Sequence, residues 1–335
     1  VGNAALRAIA GGPVSRQVEI LMEALHLMRQ DNGTYLFTPE DSPYARHILS
    51  QLQDLPPKSV LNRNALLGGD SRREREPHCG LEPELVMVVL LTLVRQGEII
   101  LNWMGRKLGA DDLDEAARLG VEELQRFQSL ARPKDLPEQA LRALFAGLEL
   151  PEGYISDPAR HEDAVRELGR KAQDELNDTL QAEEALRTGL IYWGEVVFSA
   201  KETQEQRTEL QEYHRLLDDL GRLTTPGRLR NFSLGVGDTR QKLHIRQQVR
   251  EIHSLLSILQ ILQLHLTYIT QAEINLPANH PWQQQAAETR QQHLAWLRDP
   301  KERQSRTLTA RLRGSMDNLM ASYRQAYIQI HQHAR

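Results

Sequence analysis

Helical spacing dominates the alternation of apolar and polar positions along the chain, with a few short interruptions. Val14, Val18, Leu21, Leu25 and Met28 recur every three or four residues, which predicts a helix over 14–30 closed by Asp31-Asn32-Gly33. Thr34–Phe37 suits a short strand. Ser42 is placed to cap a helix over 42–53, with Pro43 at its first position. A short helix over roughly 58–67 follows Pro56-Pro57, and 68–80 reads as a charged loop. The helix over 84–96 is apolar on all sides and stops at Gly97; the β-branched and aromatic residues around Met104-Gly105-Arg106-Lys107 then predict a hairpin.

Helices followed by strand, turn and strand give the order of a winged-helix unit. Beyond it, DDLDEAARL and VEELQRFQSL read as two short helices. Long amphipathic helices follow within 156–190 and over 201–222, then a Pro/Gly-rich connection, then helices over 240–275, 281–298 and 301–335. The 240–275 segment carries Leu255, Leu256, Ile258, Leu259, Ile261, Leu262 and Leu264 with no clean polar face, which predicts a helix central to a bundle. Its length, roughly 50 Å at 1.5 Å per residue, predicts an elongated half. The fold expected is mainly α: a winged-helix-like subdomain with one short β-hairpin, then an elongated helical bundle. The domains expected are 1–131 and 132–335, with a further candidate division near 225–240.

Composition agrees with helices, since Leu, Gln, Arg, Glu and Ala dominate. A net charge of -4 gives no global electrostatic case for nucleic acid. Cys79 is the sole cysteine, which excludes an intrachain disulfide and a cysteine-built zinc site. The apolar run over 85–94 is about half of the ~20 residues that span a bilayer, so a soluble, cytoplasmic chain without membrane partners is expected. Both ends read as cut from a larger protein.

Candidate chemistry is sparse. GGDSRRER, MGRKLGADD and LGVGDTRQK all fail the phosphate-loop pattern, and no HExxH is present. His331 and His333 diverge on a helix, whereas His214 and Asp218 share a face as a solvated pair. Cys79 beside His78 lacks a converging base. No catalytic, cofactor or metal residue is assigned, and the fragment is expected not to be an enzyme.

A DNA-reading role would need polar residues on the outer face of the helix before the hairpin, and 84–96 has only Arg95 and Gln96 at its end. Phosphate contacts would then fall to Arg72, Arg73 and Arg75 in the loop, Arg106 and Lys107 at the hairpin tip, and Arg228 and Arg230 in the later connection. Arg228 and Arg230 suit capping of helix C-termini better than phosphate contact.

The stretch ARPKDLPEQALRALF over 131–145 reads as a domain joint. Asp135 can cap a helix, Glu138 completes a D-x-x-E box, and Pro137 fits the first turn. Pro133 keeps Arg132 extended, and Arg132 and Lys134 are free to meet a neighbouring domain. Leu141, Leu144, Phe145 and Leu148 form the buried stripe.

The longer stretch FQSLARPKDLPEQALRALFAGLELPEG resembles a signature of the very large P-loop ATPases of bacterial phage-resistance loci, the BREX-type (PglY/BrxC-like) proteins. LEPELVMVVLLTLVRQGEIIL, TPGRLRNF and YRQAYIQIHQHAR carry the same resemblance, spread over most of 81–335. It implies the region following the ATPase module. ATP and magnesium would be bound only in the intact protein, since these residues hold no Walker motif. The function expected is a non-catalytic interaction or scaffolding region that couples the ATPase to other defence proteins, to DNA, or to further copies of itself. The alternative is a nucleic-acid-binding winged-helix module.

Overall fold

A computed structural model describes residues 1–31, 33–67 and 80–333, with the His333 side chain left aside. The protein is mainly α-helical and divides into two compact units. Unit 1 comprises Val1–Ala172 and Asp219–Arg240; unit 2 comprises Gln173–Asp218 and Gln241–Arg335.

Unit 1 opens with helices α1 (Gly2–Ile9) and α2 (Arg16–Ala24). The helix expected over 14–30 ends early. His26 turns left-handed at φ 52°, and Met28 starts strand β1 (Met28–Asp31), which pairs with β2 (Thr34–Phe37). The sequence therefore concealed a hairpin, because Leu25, Leu27 and Met28 are all buried and satisfy either period. Helix α3 (Pro43–Gln53) begins as expected, with Ser42 accepting from the Ala45 amide.

Next come β3 (Leu61–Asn62) and α4 (Arg63–Leu67), where a single helix over 58–67 was expected; Lys58 at φ 69° breaks it. Helix α5 (Pro83–Gln96) is buried on every side from Val86 to Arg95 and forms the axis of the unit. At its end Gly97 adopts φ 73°, which lets the amides of Gly97 and Glu98 close on Val94 O and Leu93 O.

The hairpin around Met104-Gly105 forms as β4 (Ile100–Trp103) and β5 (Arg106–Leu108). Helix α6 (Leu113–Leu124) is kinked at Gly120, and the rest of the second expected helix instead becomes β6 (Ser129–Ala131). The sheet order is β3-β6-β4-β5, all antiparallel. Its register lines up Leu61, Leu130, Leu101 and Leu108 as one buried cross-strand row. Helix–strand–turn–strand order is thus present in α5, β4 and β5, joined by two strands the sequence reading did not assign.

Helix α7 (Glu138–Gly147) starts later than the capping box required. Pro137 occupies the cap position, and no side chain caps the helix. The reason is local: a residue before proline avoids helical backbone, so Leu136 cannot be the first helical residue after an Asp135 cap. Leu141, Leu144, Phe145 and Leu148 are buried as expected. Helices α8 (Gly153–Ser156) and α9 (His161–Thr188) follow, and α9 runs on into unit 2 beyond Ala172.

In unit 2, α9 leads to a third hairpin, β7 (Ile191–Tyr192) and β8 (Glu195–Val196), again not expected. Helices α10 (Ala200–Gly221), α11 (Val236–Asn275), α12 (Pro281–Arg298), α13 (Pro300–Arg303) and α14 (Leu308–His333) complete the chain. One helix over 301–335 was expected, but Gln304–Thr307 separates two. The interior is built from Leu210, Tyr213, Ile252, Leu255, Leu294, Leu312 and Met316, all nearly inaccessible. Trp282 is buried too, its indole donating to Leu319 O at 3.0 Å.

Candidate functional site: a glycine junction and two buried ion pairs

Polar side chains within unit 1 converge on one place. The segment Thr224–Phe232, spelled TTPGRLRNF, returns to unit 1 as a 3₁₀ turn over Pro226–Asn231 with Pro226, Gly227 and Leu229 buried. Gly227 lies so close to α5 and the turn after β5 that a Cβ there would stand 2.6 Å from Ala110 Cβ, 2.8 Å from Gly97 N and 2.9 Å from Arg95 O. The relation is mutual, for a Cβ on Gly97 would meet Gly227 Cα at 2.5 Å. Two glycines on segments far apart in sequence therefore touch backbone to backbone.

The flanking arginines fasten this contact. Arg228 donates to Ala110 O at 3.2 Å, to Arg222 O at 3.2 Å and to Thr224 Oγ1 at 2.7 Å, with Asp111 3.4 Å away. Arg230 donates to Lys134 O at 2.8 Å and lies 3.8 Å from Glu98. Asn231 donates to Asp111 Oδ2 at 2.6 Å. Arg228 thus reaches Arg222 O, just past the end of α10, whereas the Lys134 carbonyl that Arg230 holds lies in an extended segment and ends no helix. A small cavity of 110 Å³ remains beside them, lined among others by Gly97, Pro133, Lys134 and Gly227.

The joint residues take up distinct positions around it. Arg132 donates to Leu52 O, Gln53 O and Leu55 O at 2.8, 3.0 and 2.7 Å, closing the C-terminal end of α3. Pro133 and Pro137 are half-buried, whereas Lys134, Asp135 and Glu138 are exposed, and Glu138 pairs with Arg142 at 3.2 Å. Three of the four stretches quoted for the family resemblance therefore meet here: Gly97 from one, Lys134 from the second, Gly227 and Arg230 from the third.

The remaining candidate cations are placed as follows. Arg106 pairs with Glu115 at 2.5 Å, both partly exposed, and Lys107 is exposed. Arg72, Arg73, Arg75, His78 and Cys79 lie outside the described residues. His214 stands 3.4 Å from Glu183 and 3.7 Å from Asp218. Among the described residues no group of three or more His, Cys, Asp and Glu is arranged to hold a metal ion.

Two ion pairs, one part-buried and one buried, join residues that no sequence pattern links. In unit 1, Arg95 at the end of α5 donates to Ile9 O at 2.9 Å and pairs with Glu162 at 3.2 Å, its guanidinium 4.4 Å from the Phe37 ring centre. Gln96 donates to Phe37 O and to the same Glu162. In unit 2, Arg246 Nε donates to Glu175 Oε1 at 2.7 Å, and the Tyr213 hydroxyl donates to Glu175 Oε2 at 3.3 Å. Burial first, and then the Glu175 charge, push the Tyr213 hydroxyl well above the usual tyrosine range. No local spacing links 175 with 246, so only an amphipathic helix with a misplaced charge could have flagged them.

His293 in unit 2 is fully buried, joined through Nδ1 to the Tyr192 hydroxyl at 2.7 Å and stacked on Trp296. Burial lowers its pKa to about 4 from an ordinary 6.5. The unfolded chain then takes up a proton here between pH 6.5 and about 4 while the folded one does not, so stability present above pH 6.5 falls with pH across that window. A loss on the order of 3 kcal/mol is expected from this group. Urea midpoints followed from pH 7.5 to 4.5 should drop more steeply for the wild type than for His293→Gln; parallel lines would refute the assignment.

Sequence comparison fits these units into a family. Residues 1–132 match the 4th domain, and residues 137–331 the 5th domain, of a family of unknown function, DUF6079. The chain belongs to the DUF6079 family. No curated protein and no solved structure matches it. The two family domains meet between Arg132 and Pro137, inside the joint stretch, whereas the compact units divide after Ala172.

The last feature is a surface. Helix α11 was expected to be central, and its Leu255, Ile258 and Leu262 are indeed buried. Ile261, Leu264 and Ile274, however, are 52%, 83% and 79% exposed, so the apolar residues are divided between an inner and an outer face. Sequence could not separate these because apolar residues recur on both faces. This is also the one helix, among the described residues, long and apolar enough to cross a membrane by length and composition, with 28% of its most apolar window buried.

Proposed function

We propose that this DUF6079 chain is a non-catalytic interaction region of a large cytoplasmic phage-defence ATPase, coupling the ATPase module to partner proteins. The observation that carries the interaction role is the outer face of α11, where large apolar side chains stand exposed without any charged residue between Ser254 and Ala272. Exposed apolar area of that kind marks a contact surface. The phage-defence context rests on the resemblance of the quoted stretches. The family's domain numbering, fourth and fifth, leaves room for an ATPase module among the domains numbered before them. ATP and magnesium would be bound there and not by these residues.

Nucleic-acid binding receives less support. Arg228 and Arg230 are committed to carbonyls of unit 1, Arg106 is held by Glu115, and α5 is buried along the length that would read bases. The purified chain is expected to show no ATP turnover and no retardation of duplex DNA at low salt. ATP hydrolysis by the chain alone would sink the proposal. Retardation abolished by Arg106→Glu with Lys107→Glu would favour the nucleic-acid module instead.

A further inference from the structure

The outer face of α11 has a composition that narrows what can cover it. From Ser254 to Ala272 the helix contains no Asp, Glu, Lys or Arg, and its one histidine there, His265, is turned toward Asp317 at 3.2 Å. The hydroxyls of Thr267 and Thr270 donate to Gln263 O and Leu266 O of their own helix, at 3.0 and 2.8 Å. Those two side chains therefore spend their polarity on the backbone. Serine and glutamine remain beside Ile261 and Leu264, which suits a protein partner better than lipid, because exposed glutamine is costly in hydrocarbon.

Spacing along this face is that of a coiled-coil seam. Ser254, Ser257, Ile261, Leu264, Tyr268 and Gln271 fall at alternating intervals of three and four. A charged partner surface would be desolvated here with nothing to pair it. The matching surface must itself be uncharged, and a second copy of this face meets that requirement.

We infer that α11 pairs with α11 of a second copy of this chain, antiparallel about a twofold axis between Ile261 and Leu264. That axis sets Ile261 of each copy against Leu264 of the other, and Ser254 against Gln271, with no like charges opposed. The strip is about 28 Å long by helix rise. Two of them bury roughly 1,000 Å² in total, the lower end for a specific interface, so a micromolar dimer is expected. The inference rests on the interaction role proposed above and gives it an occupant.

Sedimentation velocity of the whole chain should show a monomer–dimer equilibrium. Ile261→Glu with Leu264→Glu should raise the dissociation constant at least 100-fold, with an unchanged melting curve at concentrations where the chain is monomeric, since both side chains are exposed. In a Cys79→Ser background, a Ser254→Cys chain mixed with a Gln271→Cys chain should cross-link 254 to 271; a 254–254 cross-link would mean parallel pairing and overturn the geometry. A monomer at every concentration, or a dimer indifferent to the double substitution, would overturn the inference. So would cosedimentation of the monomer with phosphatidylcholine vesicles lost on the same substitutions, which would give the face to lipid. The ATPase and DNA assays on the same sample judge the wider reading separately.

Discussion

Replacing Gly227 by alanine should cost about 3 kcal/mol of stability, the upper range for forcing atoms into a packed interior. In thermal unfolding the transition of unit 1 should fall by roughly 6–12 °C. The cause is purely steric. Gly227 does not occupy the left-handed region, so alanine suits its backbone; what it cannot satisfy is the space, since the added carbon would stand under 3.0 Å from Ala110 Cβ, Gly97 N and Arg95 O. Two of those three atoms are backbone and cannot swing aside. Ala110→Gly removes only the first clash, so the double variant should recover part of the loss and not all of it. Wild-type stability in Gly227→Ala would show that the turn over 226–231 is not seated as described.

Arg246→Met should be comparably damaging to unit 2, at about 3–5 kcal/mol, because it leaves the Glu175 carboxylate buried without the guanidinium 2.7 Å away. The pair as a whole is a different matter. Bringing both charges out of water costs much of what their attraction returns, so Glu175→Met with Arg246→Met should be far closer to wild type than either single change. Urea unfolding of the four proteins forms a closed cycle, and a coupling energy near zero would remove the ion pair from the account. Tyr213 offers an independent signal, since its hydroxyl is held well above the usual range by burial and by Glu175; spectrophotometric titration should find it easier to ionise in Glu175→Gln.

The sequence was most informative where one period ran unbroken. Helices α9, α10, α11 and α12 lie close to where apolar spacing put them, and Ser42 caps α3 as its position predicts. Reading failed where apolar runs were too short to separate a strand from a helix, as at Met28–Asp31 and Ser129–Ala131. It failed again at Asp135, where a capping pattern was outweighed by the proline two residues on. The junction was half legible. Arg228 and Arg230 were visible as candidates, and their use on carbonyls was weighed, but the contact of Gly97 with Gly227 spans a separation that no local pattern encodes. Glu162 and Glu175 were hidden for a related reason: each looks like one more charge on an amphipathic helix until its arginine arrives from elsewhere in the chain.

The return of Asp219–Arg240 to unit 1 also bears on how the protein is made. A ribosome finishes the continuous part of unit 1 at Ala172, yet the seat formed by Gly97 and Ala110 stays unfilled until Gly227 has been translated. The first segment of unit 2, Gln173–Asp218, is synthesised in the interval, a delay of several seconds at roughly 5–20 residues per second. Nascent chains arrested before residue 219 should thus carry a nearly complete but open first unit, available to chaperones and proteases. Closure is timed by the arrival of one glycine.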